Sequence, residues 1–315
     1  MQLDDARGRK LDIRSFIATD VVRTRGEETA KAIAIGFATT ARRDDYAIAV
    51  RSRSEELLPA DVLESIRQRA GGEIDVRYTG RVSVERPAAG SAPRRLAIGS
   101  SVGHYRGTAG TLGFFAQRND GTIGIVSNNH VLAAEDRGED GDEILHPGPA
   151  DRGCRPKDVV ARLSGDYPRL KRSPQTVDCA FAPLVDWIEY APLAMGPGER
   201  LSATTAKPQA LHSVVKLGRT TGRTFGRITA FDVDNFPVDY SFGRVLYDGL
   251  VEMESVSTEP FARSGDSGSL IFNAERQPVG LLFACSVRGG AHNCGMAYAS
   301  PIDTVLEALG VTFLT

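Results

Sequence analysis

Cysteine, tryptophan and long apolar runs are all scarce in this chain. Only four cysteines and one tryptophan occur in 315 residues. Cys154, Cys179, Cys285 and Cys294 form no Cys-x-x-Cys pair, which argues against a zinc site or a disulfide-dense scaffold. Reduced thiols are expected, with a Cys285–Cys294 bridge across a hairpin as the alternative left open; Cys179, inside an apolar stretch, reads as a small packed hydrophobe. No segment approaches the roughly 18 apolar residues that a spanning helix needs, and Met1 to Arg14 is rich in charge. The expectation is therefore a cytoplasmic protein with no membrane partner, unless a leader has been removed. An excess of charge of one sign is missing too. The formal net charge is -2 with both signs interspersed, which leaves no basic field for a phosphate backbone and no nucleic-acid partner.

What is present is a change of texture along the chain. A length of 315 residues allows about two domains of ordinary size. In the first part, Ile33, Ile35 and Phe37 alternate with small residues, and Tyr46, Ile48 and Val50 do the same after the Arg43-Asp44-Asp45 turn. Both runs read as strands. Pro59 then opens a helix with Val62, Leu63 and Ile66 on one face, closed by Gly71-Gly72, before a third strand at Ile74, Val76 and Tyr78. The stretch from Glu85 to Arg95, rich in Pro, Ala, Gly and Arg, reads as a linker. Residues 1–90 are thus expected to form a small α+β (ββαβ) domain and residues 91–315 a second one. Beyond Arg95, short apolar runs are separated by Gly, Asp and Asn, as in the hairpin turn Asn119-Asp120-Gly121. About ten such strands predict a mainly β fold in which a closed or paired barrel removes the edges. One helix ends the chain, with Ser300 as its cap, Pro301 at its first position and Gly310 as its stop.

Three segments carry chemistry. In Gly265-Asp266-Ser267-Gly268-Ser269, glycines flank a serine just before the apolar strand Leu270-Ile271-Phe272. Such a backbone can turn sharply and bring amide N–H groups close to a reacting carbonyl. His130 stands just past the buried run Ile123 to Ser127, where a base is held by scaffold yet reaches a cleft. Asp178 sits in the apolar run Val177 to Phe181, and burying it costs several kcal/mol unless it finds a partner. Orienting an imidazole would satisfy it. The order His, Asp, Ser is one of the known convergent arrangements of a catalytic triad.

Ser127-Asn128-Asn129-His130, Val177-Asp178-Cys179-Ala180 and Gly265-Asp266-Ser267-Gly268-Ser269 resemble the triad motifs of trypsin-like (chymotrypsin-fold) serine proteases, over about residues 96 to 315. Gly107 to Gly113 and Lys216-Leu217-Gly218-Arg219-Thr220-Thr221-Gly222 are similar to segments of the plant narrow-leaf-type proteases and their bacterial relatives. The resemblance implies a chymotrypsin-like double β-barrel and a serine endopeptidase acting on a polypeptide substrate. Its catalytic residues would be His130, Asp178 and Ser267, and the amides of Gly265 and Ser267 would form the oxyanion hole. No cofactor or metal is implied, and a homo-oligomer is left open. Asp266 matches the acidic residue that pairs with a newly cut N-terminus in the trypsin branch. Phe283 stands where many relatives place a serine that bonds the triad aspartate. Counting back from Ser267, the resemblance puts Phe261 at the floor of the first specificity pocket, with Ala262, Cys285, Gly295 and Ala297 as walls. Since none is acidic, a small or medium apolar side chain is expected there.

Competing readings are weaker. Gly99-Ser100-Ser101-Val102-Gly103 fits a G-x-S-x-G elbow, but the residues after Gly103 are Gly-rich and then strand-like rather than helical. The acidic loop Glu135 to Glu143 lacks the EF-hand pattern for calcium, and His104, His146, His212 and His292 have no paired ligand spacing. A catalytically silent or latent module of the same fold remains the alternative to an enzyme, and the N-terminal domain could regulate, recruit or only stabilise.

Overall fold

The computed structural model describes residues 1–40, 45–83, 95–171, 174–196, 198–208 and 213–314. Most of the expected linker, the boundary near residue 90 and His212 lie outside these residues. The architecture is mainly β, with a double barrel and a C-terminal helix.

Six strands close a ring. Ser213–Gly218 pairs with Gly222–Asp234, which pairs with Leu250–Ser255. Met296–Pro301, Pro278–Ser286 and Leu270–Phe272 continue the ring, and the last returns to Ser213–Gly218. Every pairing in it is antiparallel, so short connections suffice. Val214, Ile228, Met253, Ile271, Leu282 and Ala297 fill its interior. Two four-stranded sheets, formed ahead of this ring in the chain except for their last strand, Val311–Phe313, wrap another core that includes Val102, Leu112, Phe114, Val126, Ile144 and Phe181. The turn Asn119-Asp120-Gly121 joins Phe114–Arg118 to Ile123–Ser127 as expected, with Gly121 at φ 87.

The C-terminal helix, Ile302–Leu309, lays Ile302, Val305 and Leu309 into the core of the first barrel. Val311–Phe313 then adds a strand to Phe114–Arg118. The helix starts one residue later than expected. Ser300 is still paired in the ladder opposite Leu281, so Pro301 takes the capping position and the buried Ser300 hydroxyl has no partner among the described residues.

At the other end, a helix not anticipated from sequence, Leu3–Phe16, precedes the expected strands Ala34–Thr39, Tyr46–Ser52 and Ile74–Tyr78. The expected helix is present as Ala60–Arg69, and Gly71 and Gly72 come after it at φ 66 and 86. The N-terminal strands continue the sheet of the six-stranded ring. Ala34–Thr39 pairs with the far half of Gly222–Asp234, whose register shifts twice between Ile228 and Val233. Such bulges bend a strand enough for it to serve two packings. The approach is close: a Cβ at Gly36 would lie 2.7 Å from Val233 Cγ2. Buried ion pairs accompany the pairing, with Arg51 Nε 2.7 Å from Glu252 Oε2 and Lys10 Nζ 2.8 Å from Asp234 Oδ2. Burial alone would lower the Arg51 pKa; the adjacent Glu252 carboxylate outweighs this and holds it raised. Among the described residues, no helix is long and apolar enough to cross a membrane.

Candidate active site

His130, on the short helix Asn129–Leu132, and Asp178, just ahead of Ala180–Pro183, stand beyond the ends of two paired strands of the first barrel. Ile123–Ser127 pairs with Ala180–Pro183, setting Ser127 opposite Ala180. The residues just beyond these ends therefore face each other. His130 Nδ1 lies 2.6 Å from Asp178 Oδ2, and the His130 amide donates to Asp178 Oδ1 at 3.3 Å. Asn128 Nδ2 donates to the Asp178 carbonyl at 2.7 Å, fixing the backbone of the acid. Asp178 is fully buried while the His130 side chain keeps 8% exposure. This arrangement leaves Nε2 of His130 as the ring nitrogen for any incoming proton.

The remaining lone pairs of Asp178 are met by a residue that sequence reasoning missed. Tyr240 Oη donates to Asp178 Oδ2 at 2.8 Å, and Tyr247 Oη lies 2.6 Å from Tyr240 Oη. Burial, reinforced by the Asp178 charge, raises the pKa of both phenols well above their ordinary value, so they act as donors. Phe283 packs its ring against Tyr247 at 4.7 Å between centroids. The tyrosines belong to a hairpin, Phe236–Tyr240 and Gly243–Tyr247. Its alternation of Phe236, Val238 and Tyr240 was the available signal, since a buried tyrosine needs a hydroxyl partner.

Ser267 lies on the loop entering Leu270–Phe272, with Gly265 and Gly268 at φ 91 and 92. That loop is tied to the first barrel. The Thr111 amide donates to the Ser267 carbonyl at 2.7 Å, and Thr111 Oγ1 donates to the Gly265 carbonyl at 2.8 Å. Gly110 makes the approach possible, because a Cβ there would sit 2.4 Å from Val131 Cγ2 and 2.9 Å from the Ser267 carbonyl oxygen. Val131 directly succeeds His130, so the serine loop and the histidine turn meet across Gly110. Among the described residues, the amides of Gly265 and Ser267 meet no acceptor. The Ser267 hydroxyl itself donates to the Phe283 carbonyl at 3.4 Å and not to His130.

Asp266 is buried beneath this loop and accepts from the amides of Thr220, Thr221 and Arg263 at 2.9, 3.1 and 3.0 Å. Its counter-charge is Lys216, with Nζ 3.2 Å from Asp266 Oδ2 and both side chains at 0% exposure. The chain's amino terminus is elsewhere, paired with Asp45 and Glu73. Burial lowers the Lys216 pKa, with Asp266 opposing that effect. Arg219 on the same turn forms a nearly buried pair with Asp151 of the first barrel.

The expected pocket residues largely converge. Phe261, Ala262, Cys285 and Ala297 share one cluster, and Cys285 pairs directly with Ala297. Gly295 stands opposite the Ser286 carbonyl, where a Cβ would lie 2.1 Å away. Phe261 is buried against Gly226 rather than open to solvent. Cys294 has a free thiol directed at the Ser257 and Glu259 carbonyls. Among the described residues there is no group of three or more side chains that could hold a metal ion. The acidic loop is engaged within the protein instead: Asp136 accepts from Asn129, Leu170 and Lys171, and Asp142 from His104, Arg106 and Glu139. Ser101 opens the strand Ser101–His104 with its hydroxyl on Asp151, which is not the strand-to-helix elbow of a hydrolase.

No family model and no curated protein matches the chain. Among solved structures, Thermobifida fusca Protease A aligns with a TM-score of 0.49 at 19% identity, covering 70% of this chain and 99% of that one. Nocardiopsis Protease (NAPase) aligns with a TM-score of 0.48 at 20% identity, over 70% of this chain and 100% of the other. A serine protease described as glutamic acid specific aligns at 0.49 and 22%, again over 70% and 100%.

Proposed function

We propose that the chain is a serine endopeptidase. The observation that carries this reading is the buried Asp178–His130 pair at 2.6 Å, set beside a glycine-flanked serine loop. In the proposed mechanism, the Ser267 hydroxyl leaves its long bond to the Phe283 carbonyl by a turn about χ1 and gives its proton to Nε2 of His130. Oγ attacks the scissile carbonyl carbon, and Asp178 stabilises the imidazolium. The oxyanion is met by the amides of Gly265 and Ser267, each donor contributing about 3 kcal/mol. His130 then passes the proton to the leaving amine as the peptide bond breaks, and water, deprotonated by the same histidine, hydrolyses the ester on Ser267.

The substrate is a polypeptide, and the Phe261, Ala262 and Ala297 cluster supports cleavage after a small or medium apolar residue, because a buried apolar floor gives a cation no partner. The Gly107–Gly113 and Lys216–Gly222 segments support kinship with the narrow-leaf-type branch. A fluorophosphonate probe should label Ser267 and fail on Ser267→Ala, and a peptide panel varied at the residue before the cut should favour Ala, Val or Leu. A folded wild type that resists labelling would leave a silent binding module; cleavage after Lys or Arg alone would refute the apolar pocket.

A further inference from the structure

The strand Pro278–Ser286 has two full neighbours along only part of its length. At Gly280 and Leu281 it lies between Leu270–Phe272 and Met296–Pro301. Past that point Leu270–Phe272 is no longer its neighbour. The Gly268 amide still donates to the Leu282 carbonyl at 2.8 Å, and the Ser267 hydroxyl reaches the Phe283 carbonyl. Beyond Phe283, Met296–Pro301 continues to cover one edge, opposite Ala284 and Cys285. The other edge starts at the Ser267 hydroxyl. A peptide bringing a carbonyl to Ser267 in extended form has this row of main-chain groups to pair with, and pairing through the main chain holds a strand whatever its side chains.

That edge is already taken by the chain itself. Val82–Ser83 pairs antiparallel there, with Ser83 opposite Cys285 and Val82 opposite Ser286. On its far side the same segment pairs with Asp239. Val82 is 1% exposed and packs in one cluster with Tyr240, Phe283 and Ala284. The polarity matters: from Val82 to Ser83 the chain moves from Ser286 towards Cys285, that is, towards Phe283 and the Ser267 hydroxyl. Arg81, which leads into this segment, is held down as well: it reaches Asp239 at 2.9 Å, as does Arg53 from just past the end of Tyr46–Ser52.

We propose that Val82–Ser83 occupies, in cis, the place of a substrate strand on the Phe283–Ser286 edge, so that an extended peptide reaches Ser267 only after displacing it. The inference rests on the protease reading and adds its regulation. Tethering by the strands and ion pairs of the N-terminal unit gives the segment an effective concentration on the order of mM. Apparent affinity for a competing peptide falls in proportion to the fraction of molecules with the edge free. A small phosphonylating probe needs no strand pairing, so it reads Ser267 without reading the edge.

The test compares full-length wild type, Ser83→Pro, which removes a main-chain donor from the short strand, and Val82→Asp, which places a charge in the core position. Each is assayed with a fluorophosphonate and with an extended peptide substrate. The expected result is similar labelling of Ser267 in wild type and at least one variant, with kcat/KM on the peptide rising about tenfold or more in that variant. Equal labelling with unchanged kcat/KM overturns the occlusion. Loss of labelling in both variants with wild type still labelled overturns it as well, because the segment would then be supporting the site. If no form labels although wild type is folded, the protease reading itself has failed and this inference falls with it.

Discussion

A buried carboxylate next to an imidazole accounts for itself only when each of its lone pairs is counted. Asp178 accepts from His130 twice and from Tyr240 once, so the absence of a serine at Phe283 leaves no deficit. The two tyrosines form a relay of hydroxyls behind the acid, and a hydrogen bond to a charged group contributes about 1.5–3 kcal/mol. Tyr240→Phe removes the one hydroxyl of this relay that meets the acid. It should lower kcat by about tenfold or more with little change in KM, because Tyr240 positions Asp178 and the Tyr240 hydroxyl is spent on the acid. A purely structural loss would instead lower stability and leave kcat of the folded protein at the wild-type value.

At the scale of strands and turns, much was legible because alternation and turn chemistry agree. Tyr46–Ser52, Ile123–Ser127 and Ser213–Gly218 fall where period-two apolar runs end at turns, and the Gly121 turn has the positive φ its sequence demands. The pairing of His130 with Asp178 was legible from apolar context too, the histidine just past one apolar run and the aspartate inside another. The elements that were not read are those in which a polar residue does a buried job. Leu3–Phe16 buries Ala6, Lys10 and Ile13; a lysine in the buried stripe hides the helical period, and its partner Asp234 is far away in sequence. Phe236–Tyr240 contains Pro237, which argues against a strand from sequence alone.

Lys216 is a further case, a charge in the middle of the strand Ser213–Gly218 that makes sense only with Asp266 beneath the serine loop. Lys216→Met should cost about 3–5 kcal/mol by leaving Asp266 without its counter-charge, read as a shift in denaturant midpoint. Adding Asp266→Asn should restore most of that loss, because the amide can still accept from the Thr220 and Thr221 amides without a buried charge. A double variant no more stable than Lys216→Met would mean that the lysine supports the loop by packing alone.

For the whole molecule, the question is whether the N-terminal unit can be parted from the barrels. The protease resemblance spans about residues 96 to 315, which suggests a separable enzyme, yet the contacts argue for one continuous packing. Ala34–Thr39 covers the edge of Gly222–Asp234. Arg51 neutralises Glu252, Arg77 reaches Glu254 at 3.2 Å, and Lys10 with Arg14 meets Asp234. Glu252, Glu254 and Asp234 are themselves buried, at 0%, 1% and 3% exposure. Removing residues 1–95 would uncover a long strand edge and leave these carboxylates without those partners, two conditions that favour association over folding. The fragment 96–315 is therefore expected to aggregate or to lack near-UV dichroism. In the full chain, Arg51→Met alone should cost about 3–5 kcal/mol. Sedimentation velocity and circular dichroism of the fragment decide the matter: a stable, monomeric 96–315 with native-like aromatic signal would show that the barrels carry their own stability and that the N-terminal strands are an addition to them.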